Sequence, residues 1–248
     1  MNRVDPSASS PTHESINSPI LLEVIVQTVD DARAAEDGGA DRLEVVRRID
    51  VGGLTPDLAI VEAIKSTTSL PLRIMLRENG GFETTPEEID RMRATAAELA
   101  AMKVDGLVCG FAHDGRLSLD EFDAAVATGS PLAVTFHRAF DSLVNPEAAI
   151  DVLSRHQPID RILTSGGDGS IAQRCGRLSR FVVRAGSRLT IIAGGGVDLE
   201  TFRLLVEQGS VREIHVGRLA RGGGNAEGPV AAASVRRLRN ITEEIGPR

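Results

Sequence analysis

Five polar residues stand where the surrounding sequence is apolar and β-favouring: Glu44 in "DRLEVV", Arg77 after "LRIML", His137 and Asp141 in "PLAVTFHRAFD", and His215 in "EIHVG". A strand that only packs ends in Gly, Asn or Pro, so ending one on His137-Arg138 signals a site. Buried Glu, Asp and His move protons near neutral pH, and Arg neutralises an anion. Other chemistries lack their residues. The chain has two lysines, Lys65 and Lys103, both in helical patterns, so no strand offers a Schiff-base amine. It has no tyrosine, no His-x-His on the first strand, no HExxH and no CxxC, so no metal site is expected from these patterns. Acid-base work therefore falls to Glu44, His137, Asp141 and His215, with Arg77 beside them.

A second set of residues suits an anion. "TSGGDG" (164–169), "AGGGVD" (193–198) and "VGRLARGGGN" (216–225) each follow an apolar run. Backbone N–H groups without Cβ obstruction can crowd around a phosphate or carboxylate, and a helix N-terminus behind them adds a favourable dipole. The candidate cradle is Ser165, Gly166, Gly167, Gly195, Gly196, Gly217 and Arg218. The same glycines also serve tight turns.

These residues must be positioned by strands. Eight apolar runs occur, at about 21–26, 42–46, 72–76, 106–109, 132–136, 160–164, 189–193 and 213–217, each followed by a helical pattern. Helix starts are marked by Thr55-Pro56, Thr85-Pro86, Asn145-Pro146 and Asp198, and a last helix is expected over 229–245. Eight βα units in a chain of this length predict an α/β fold of the (β/α)8 TIM-barrel type. An open doubly wound sheet would carry a glycine fingerprint after its first strand, where this chain has "VIVQTVDDA". In a barrel the active face is at the C-terminal strand ends, where His137 and the late glycines fall. Alternate residues point inward, and Glu23, Arg42, Glu44, Arg73, Arg77, Thr135, His137 and His215 share the parity opposite their apolar neighbours. Buried charges must pair, so a Glu23, Glu44, Arg73 and Arg77 network is expected, with Glu23 and Arg73 structural and Glu44, Arg77 and His137 functional. Phe136 should face outward under a helix, and Arg138 should leave the barrel axis and hold Asp141. Removal of His137 or Glu44 should leave the fold nearly intact.

The 248 residues suit one domain over 20–248, preceded by a Ser/Pro-rich stretch over 1–19 that reads as a disordered tail without the apolar core of a secretory signal. A net charge of -7 excludes nucleic acid and anionic membranes as natural partners, and no run has the length of a membrane span. A small molecule or anion at the barrel mouth remains. Two cysteines, Cys109 and Cys175, suit a reducing cytoplasm, and no fingerprint for an organic cofactor appears.

The segments "GADRLEVV", "GGLTP", "PLAVTFHRAFD", "ILTSGG" and "AGGGV", in this order and spacing, resemble the CutC copper-homeostasis family over about residues 20–220. The resemblance implies a barrel, a cytoplasmic protein, a role in copper handling with copper as a ligand, and assembly as a homo-oligomer. It also implies cysteines at the ends of strands 1 and 2, where this chain has Ile25, Val26 and Val46. Cu(I) prefers thiolate and thioether ligands, so the obvious site is gone, and a substitute set of Cys109, Met75 and His137 is the alternative. Two functions follow: a protein that binds or responds to copper, or a barrel enzyme acting on a small phosphorylated or carboxylated molecule.

Overall fold

A computed structural model describes residues 19–128, 131–224 and 228–245. The tail expected over 1–19 therefore lies almost wholly outside the described residues. The barrel strands are β1 (Leu21–Val26), β2 (Arg42–Val45), β3 (Leu72–Met75), β4 (Gly106–Cys109), β5 (Val134–Phe136), β6 (Ile159–Thr164), β7 (Thr190–Ala193) and β8 (Glu213–Val216). They pair in parallel, each with its sequence neighbour, and β8 closes on β1. The helices are α1 (Val29–Asp37), α2 (Leu58–Lys65), α3 (Pro86–Ala101), α4 (Leu119–Val126), α5 (Pro146–Leu153), α6 (Ile171–Ala185), α7 (Leu199–Gln208) and α8 (Ala232–Ile245). The expected (β/α)8 barrel is the fold.

Residue parity organises the packing. Leu22, Val24 and Val26, Leu43 and Val45, Ile74 and Leu76, Val134 and Phe136, and Ile214 all belong to one apolar core between strands and helices. Phe136 stands 6.2 Å, ring to ring, from Phe122 of α4, as its outward parity requires. The opposite parity carries the charged residues inside. Helix starts are encoded locally: Thr85 and Glu88 form a reciprocal capping box, Asn145 accepts from Ala148 N–H at 3.1 Å, and Asp198 accepts from Thr201 N–H at 2.8 Å.

Two expectations are corrected. Thr55 does not cap α2, whose N-cap is Asp57. Its hydroxyl pairs with the Arg77 backbone at 2.8 and 2.9 Å, tying the β2–α2 loop to the end of β3. The strand ending at Phe136 starts at Val134, because Leu132 precedes the ladder and Ala133 joins it only through its carbonyl, which accepts from Leu107 N–H at 2.9 Å. A two-stranded hairpin, Ala112–His113 with Arg116–Leu117, stands in the β4–α4 connection and was not anticipated. Asp114 and Gly115, both at positive φ, make its turn.

Candidate functional site

The inward-facing charges form two tiers. The lower tier is a continuous chain of ion pairs: Glu23 with Arg42, Arg42 with Glu213, Glu213 with Arg161 at 3.1 Å, Arg161 with Asp160, and Asp160 with Arg73 at 2.7 Å. This corrects the expected Glu23, Glu44, Arg73 and Arg77 network. Arg42 takes the central place because its register on β2 sets it directly opposite Glu23, with Glu213 on the far side of β1. Burial alone would raise the Glu23 carboxyl pKa, but Arg42 and His215 outweigh it and hold the group well below the usual carboxylate range.

The upper tier opens into a cavity of about 380 Å³ at the C-terminal strand ends. Glu44, Arg77, His137 and His215 all line it, together with Arg138, Arg218, Gly195, Gly196 and Gly217. Four of the five proton-handling and charge-neutralising residues read from the sequence thus converge. The fifth, Asp141, does not line the mouth. Its carboxylate accepts from Thr164 Oγ1 at 2.5 Å, from Ser165 N–H at 3.1 Å and from Arg138 Nε at 3.0 Å, so it fastens the β5 loop to the β6 loop. Arg138 holds Asp141 as expected, yet it also lines the mouth instead of leaving the barrel axis altogether.

His215 Nδ1 donates to the Glu23 carboxylate, 2.7 Å from Oε1, and lies 3.8 Å from Glu44 Oε2. Burial opposes its positive charge, but Glu44 and Glu23 outweigh burial and raise its pKa. Glu44 Oε2 is buried without a hydrogen-bond partner. Burial, opposed by His215 and reinforced by Glu23, pushes the Glu44 pKa up to about 7. His137 behaves oppositely. Its Nδ1 accepts from Ala139 N–H at 3.2 Å, and burial together with Arg77 pushes its pKa down to about 3. Arg77 spends its guanidinium on the carbonyls of Gly80, Gly81, Gly52 and Gly53 and lies 5.1 Å over the Phe82 ring. It shapes the mouth's wall and contributes field rather than a free hydrogen-bonding fork.

The anion cradle is narrower than expected. Ser165 N–H goes to Asp141, Gly166 N–H to Thr164 Oγ1 at 3.1 Å and Gly167 N–H to Ser165 Oγ at 3.1 Å. The β6 loop has therefore satisfied its own donors, with Asp141 in the place an anion would take. Among the described residues no protein acceptor is found for the N–H groups of Gly195, Gly196, Gly217 and Arg218. Gly195 sits at φ +84°, and a Cβ there would press on the Arg138 guanidinium at 2.5 Å.

Copper fits this mouth poorly. Ile25 and Val46 line it where thiols would be needed. Cys109 belongs to the outer core, sharing its register position with Phe136, and burial pushes its thiol pKa up to about 12. Met75 faces the mouth and His137 has its Nδ1 occupied, so the substitute Cys109, Met75 and His137 set is not assembled. Glu23, Glu44 and His215 offer ligand atoms within 4.8 Å of one another, but Glu23 is already compensated by Arg42, and hard carboxylates do not suit Cu(I).

The model of the CutC family matches residues 20–220. The human "Copper homeostasis protein cutC homolog" is 34% identical over 197 residues, covering 79% of this chain and 72% of that protein. A "family protein CutC" from Klebsiella pneumoniae (strain 342) is 35% identical over 197 residues, covering 79% and 78%. Among solved structures, the putative copper homeostasis protein CutC from Streptococcus agalactiae superposes with TM-score 0.71 at 23% identity, covering 79% of this chain and 97% of that one. Orotidine 5'-phosphate decarboxylase from Pyrococcus horikoshii shares the fold at TM-score 0.60 and 14% identity, covering 90% and 99%.

Proposed function

The chain belongs to the CutC family, and from that premise we propose that its part in copper homeostasis is played through a small carboxylated or phosphorylated molecule bound at the barrel mouth, not through a Cu(I) ion held there. One observation carries this reading. Glu44 and His215, which can exchange protons, share a cavity with Arg138, Arg218 and the unpaired N–H groups of Gly195, Gly196 and Gly217. An anion would be held at the β7–β8 side, and its remainder would lie against Ile25, Val46, Ile49 and Met75. The glycines supply donors fixed by backbone, which pay little reorganisation on binding, and the arginines supply charge. Two buried thiols in no disulfide suit a reducing cytoplasm, and the family resemblance implies a homo-oligomer. Among the described residues no helix is long and apolar enough to cross a membrane.

Titration of the ¹⁵N-labelled chain with inorganic phosphate tests this. Amide shifts should appear at Gly195, Gly196, Gly217 and Arg218 and be absent from Ser165 to Gly167. Replacing Arg138 and Arg218 together by Ala should weaken phosphate by roughly tenfold or more, about 1.4 kcal/mol. In parallel, competition against a Cu(I) chelator should show no stoichiometric copper and no change in Cys109→Ser. Tight one-to-one copper binding lost in that variant would reverse the reading.

A further inference from the structure

We propose that the mouth is built to remove a proton from a carbon next to a carboxylate or carbonyl: His215 takes the proton, Glu23 positions it, and His137 donates to the oxygen that gains charge. This rests on the reading of the mouth as an anion site.

Glu23 does not line the cavity. It is pinned from both sides, by Arg42 on Oε2 and by His215 Nδ1 at 2.7 Å on Oε1. A carboxylate so fixed holds the Nδ1 hydrogen of the imidazole and leaves Nε2 for whatever enters the mouth. It also offsets the imidazolium charge once a proton arrives. Among the described residues Nε2 has no protein partner. Gly194 permits the close approach, since a Cβ there would meet the His215 ring at 3.0 Å.

His137 is locked the other way. The Ala139 N–H can only donate, so Nδ1 must be bare and the ring hydrogen must sit on Nε2. Burial and the nearby Arg77 charge keep a second proton away. His137 is thus a neutral donor, which cannot act as the base. Strands β5 and β8 are separated by β6 and β7, so the two rings enter the mouth from different sides of one bound molecule.

The step balances without an oxidant or reductant. The C–H bond breaks, its proton moves to His215 Nε2, and its electron pair moves onto the adjacent carbonyl or carboxylate oxygen, which His137 Nε2–H stabilises. Glu44, unpartnered at Oε2 and beside His215, returns a proton to the same or a neighbouring carbon. His215 Nε2 then gives its proton to solvent at the open mouth, solvent reprotonates Glu44, and the site is as it began.

The full-length chain with ¹⁵N-labelled histidines decides the matter. His215 should show a protonated Nδ1 and a titrating Nε2, whereas His137 should show a bare Nδ1 and no titration between pH 5 and 8. A His215 hydrogen on Nε2, or a titrating His137, overturns the inference. In Glu23→Gln the His215 titration should shift toward lower pH while phosphate binding stays within about twofold; an unmoved titration denies Glu23 its positioning role. Should that variant fail to fold, the wild-type tautomers still decide. Pyruvate in D2O serves as the chemical probe, its methyl protons being the smallest enolisable set next to a carbonyl and a carboxylate. The wild type should speed their exchange, and Glu23→Gln should lose about 10- to 100-fold of that rate. Exchange at the buffer rate in the wild type overturns the chemistry. Phosphate shifts at the mouth with tautomers other than these overturn this inference alone, whereas absent phosphate shifts overturn the anion reading beneath it.

Discussion

Glu44 holds a charge that the barrel does little to satisfy. Its folded-state pKa is pushed up to about 7 by burial and by Glu23, with His215, Arg42 and Arg77 opposing, so the native state binds its proton more tightly than the unfolded chain does. Stability from this group is complete below pH 4.5 and declines as pH rises toward 7, because the unfolded carboxyl ionises freely and the folded one does not. Glu44→Gln imitates the protonated form. It should raise the unfolding midpoint at pH 8 by several degrees, on the order of 1–3 kcal/mol, and leave it unchanged at pH 4.5. Thermal unfolding at the two pH values checks this; a lower midpoint at pH 8 would mean that Glu44 is a structural ion-pair partner instead. The sequence made Glu44, Arg77, His137 and His215 visible as a set because polar side chains on the inner parity of apolar strands have few structural reasons to exist. It did not separate their roles. The two histidines look alike in a string of letters, and what distinguishes them is a backbone N–H at Ala139 and a carboxylate at Glu23 that meets His215 only after the barrel closes.

At the level of elements, the end of β5 shows how a site residue also becomes a structural one. The His137 ring is the N-cap of the short helical turn over Arg138–Ser142, a structural duty that the sequence does not display. His137→Ala should cost about 1 kcal/mol by freeing the Ala139 N–H, whereas His137→Asn, which keeps an acceptor at the cap, should recover most of that. Phe136→Ala, one residue earlier and facing the other way, should cost about 3–5 kcal/mol through the cavity it leaves against Phe122. Chemical denaturation of the three variants orders them, and equal losses in all three would make this stretch a packing motif. Asp141 and the β6 loop were misread for a related reason. "TSGG" has the composition of an anion cradle, and nothing local says that an aspartate 24 residues earlier already occupies Ser165 N–H. The Asp114-Gly115 hairpin escaped the sequence reading although that dipeptide is a turn signal, because strands of two residues leave too short an apolar pattern to read.

For the whole molecule, the fold was readable because eight repeats of strand and helix leave one natural closure, while the ion-pair chain beneath the mouth was not, since it joins residues from β1, β2, β3, β6 and β8. Arg42 is its keystone, binding both Glu23 and Glu213. Arg42→Met should cost about 3–5 kcal/mol at pH 7 by leaving two buried carboxylates short of charge. Glu23 is held ionised in the wild type, so its stabilisation is present above pH 4.5 and fades as pH falls; the gap between wild type and variant should therefore narrow by pH 3. Urea unfolding at both pH values measures it, and an equal gap would point to packing. Glu23, Arg42, Arg73 and Glu213 of that same chain are buried beneath the mouth. Among the described residues this makes the barrel a cup that opens at the C-terminal strand ends. Whatever enters at the strand ends must leave by the same route, and no ion or small molecule can be passed through from one face to the other. A part in moving copper would have to be played at the rim, by release of a bound molecule back into the solution it came from.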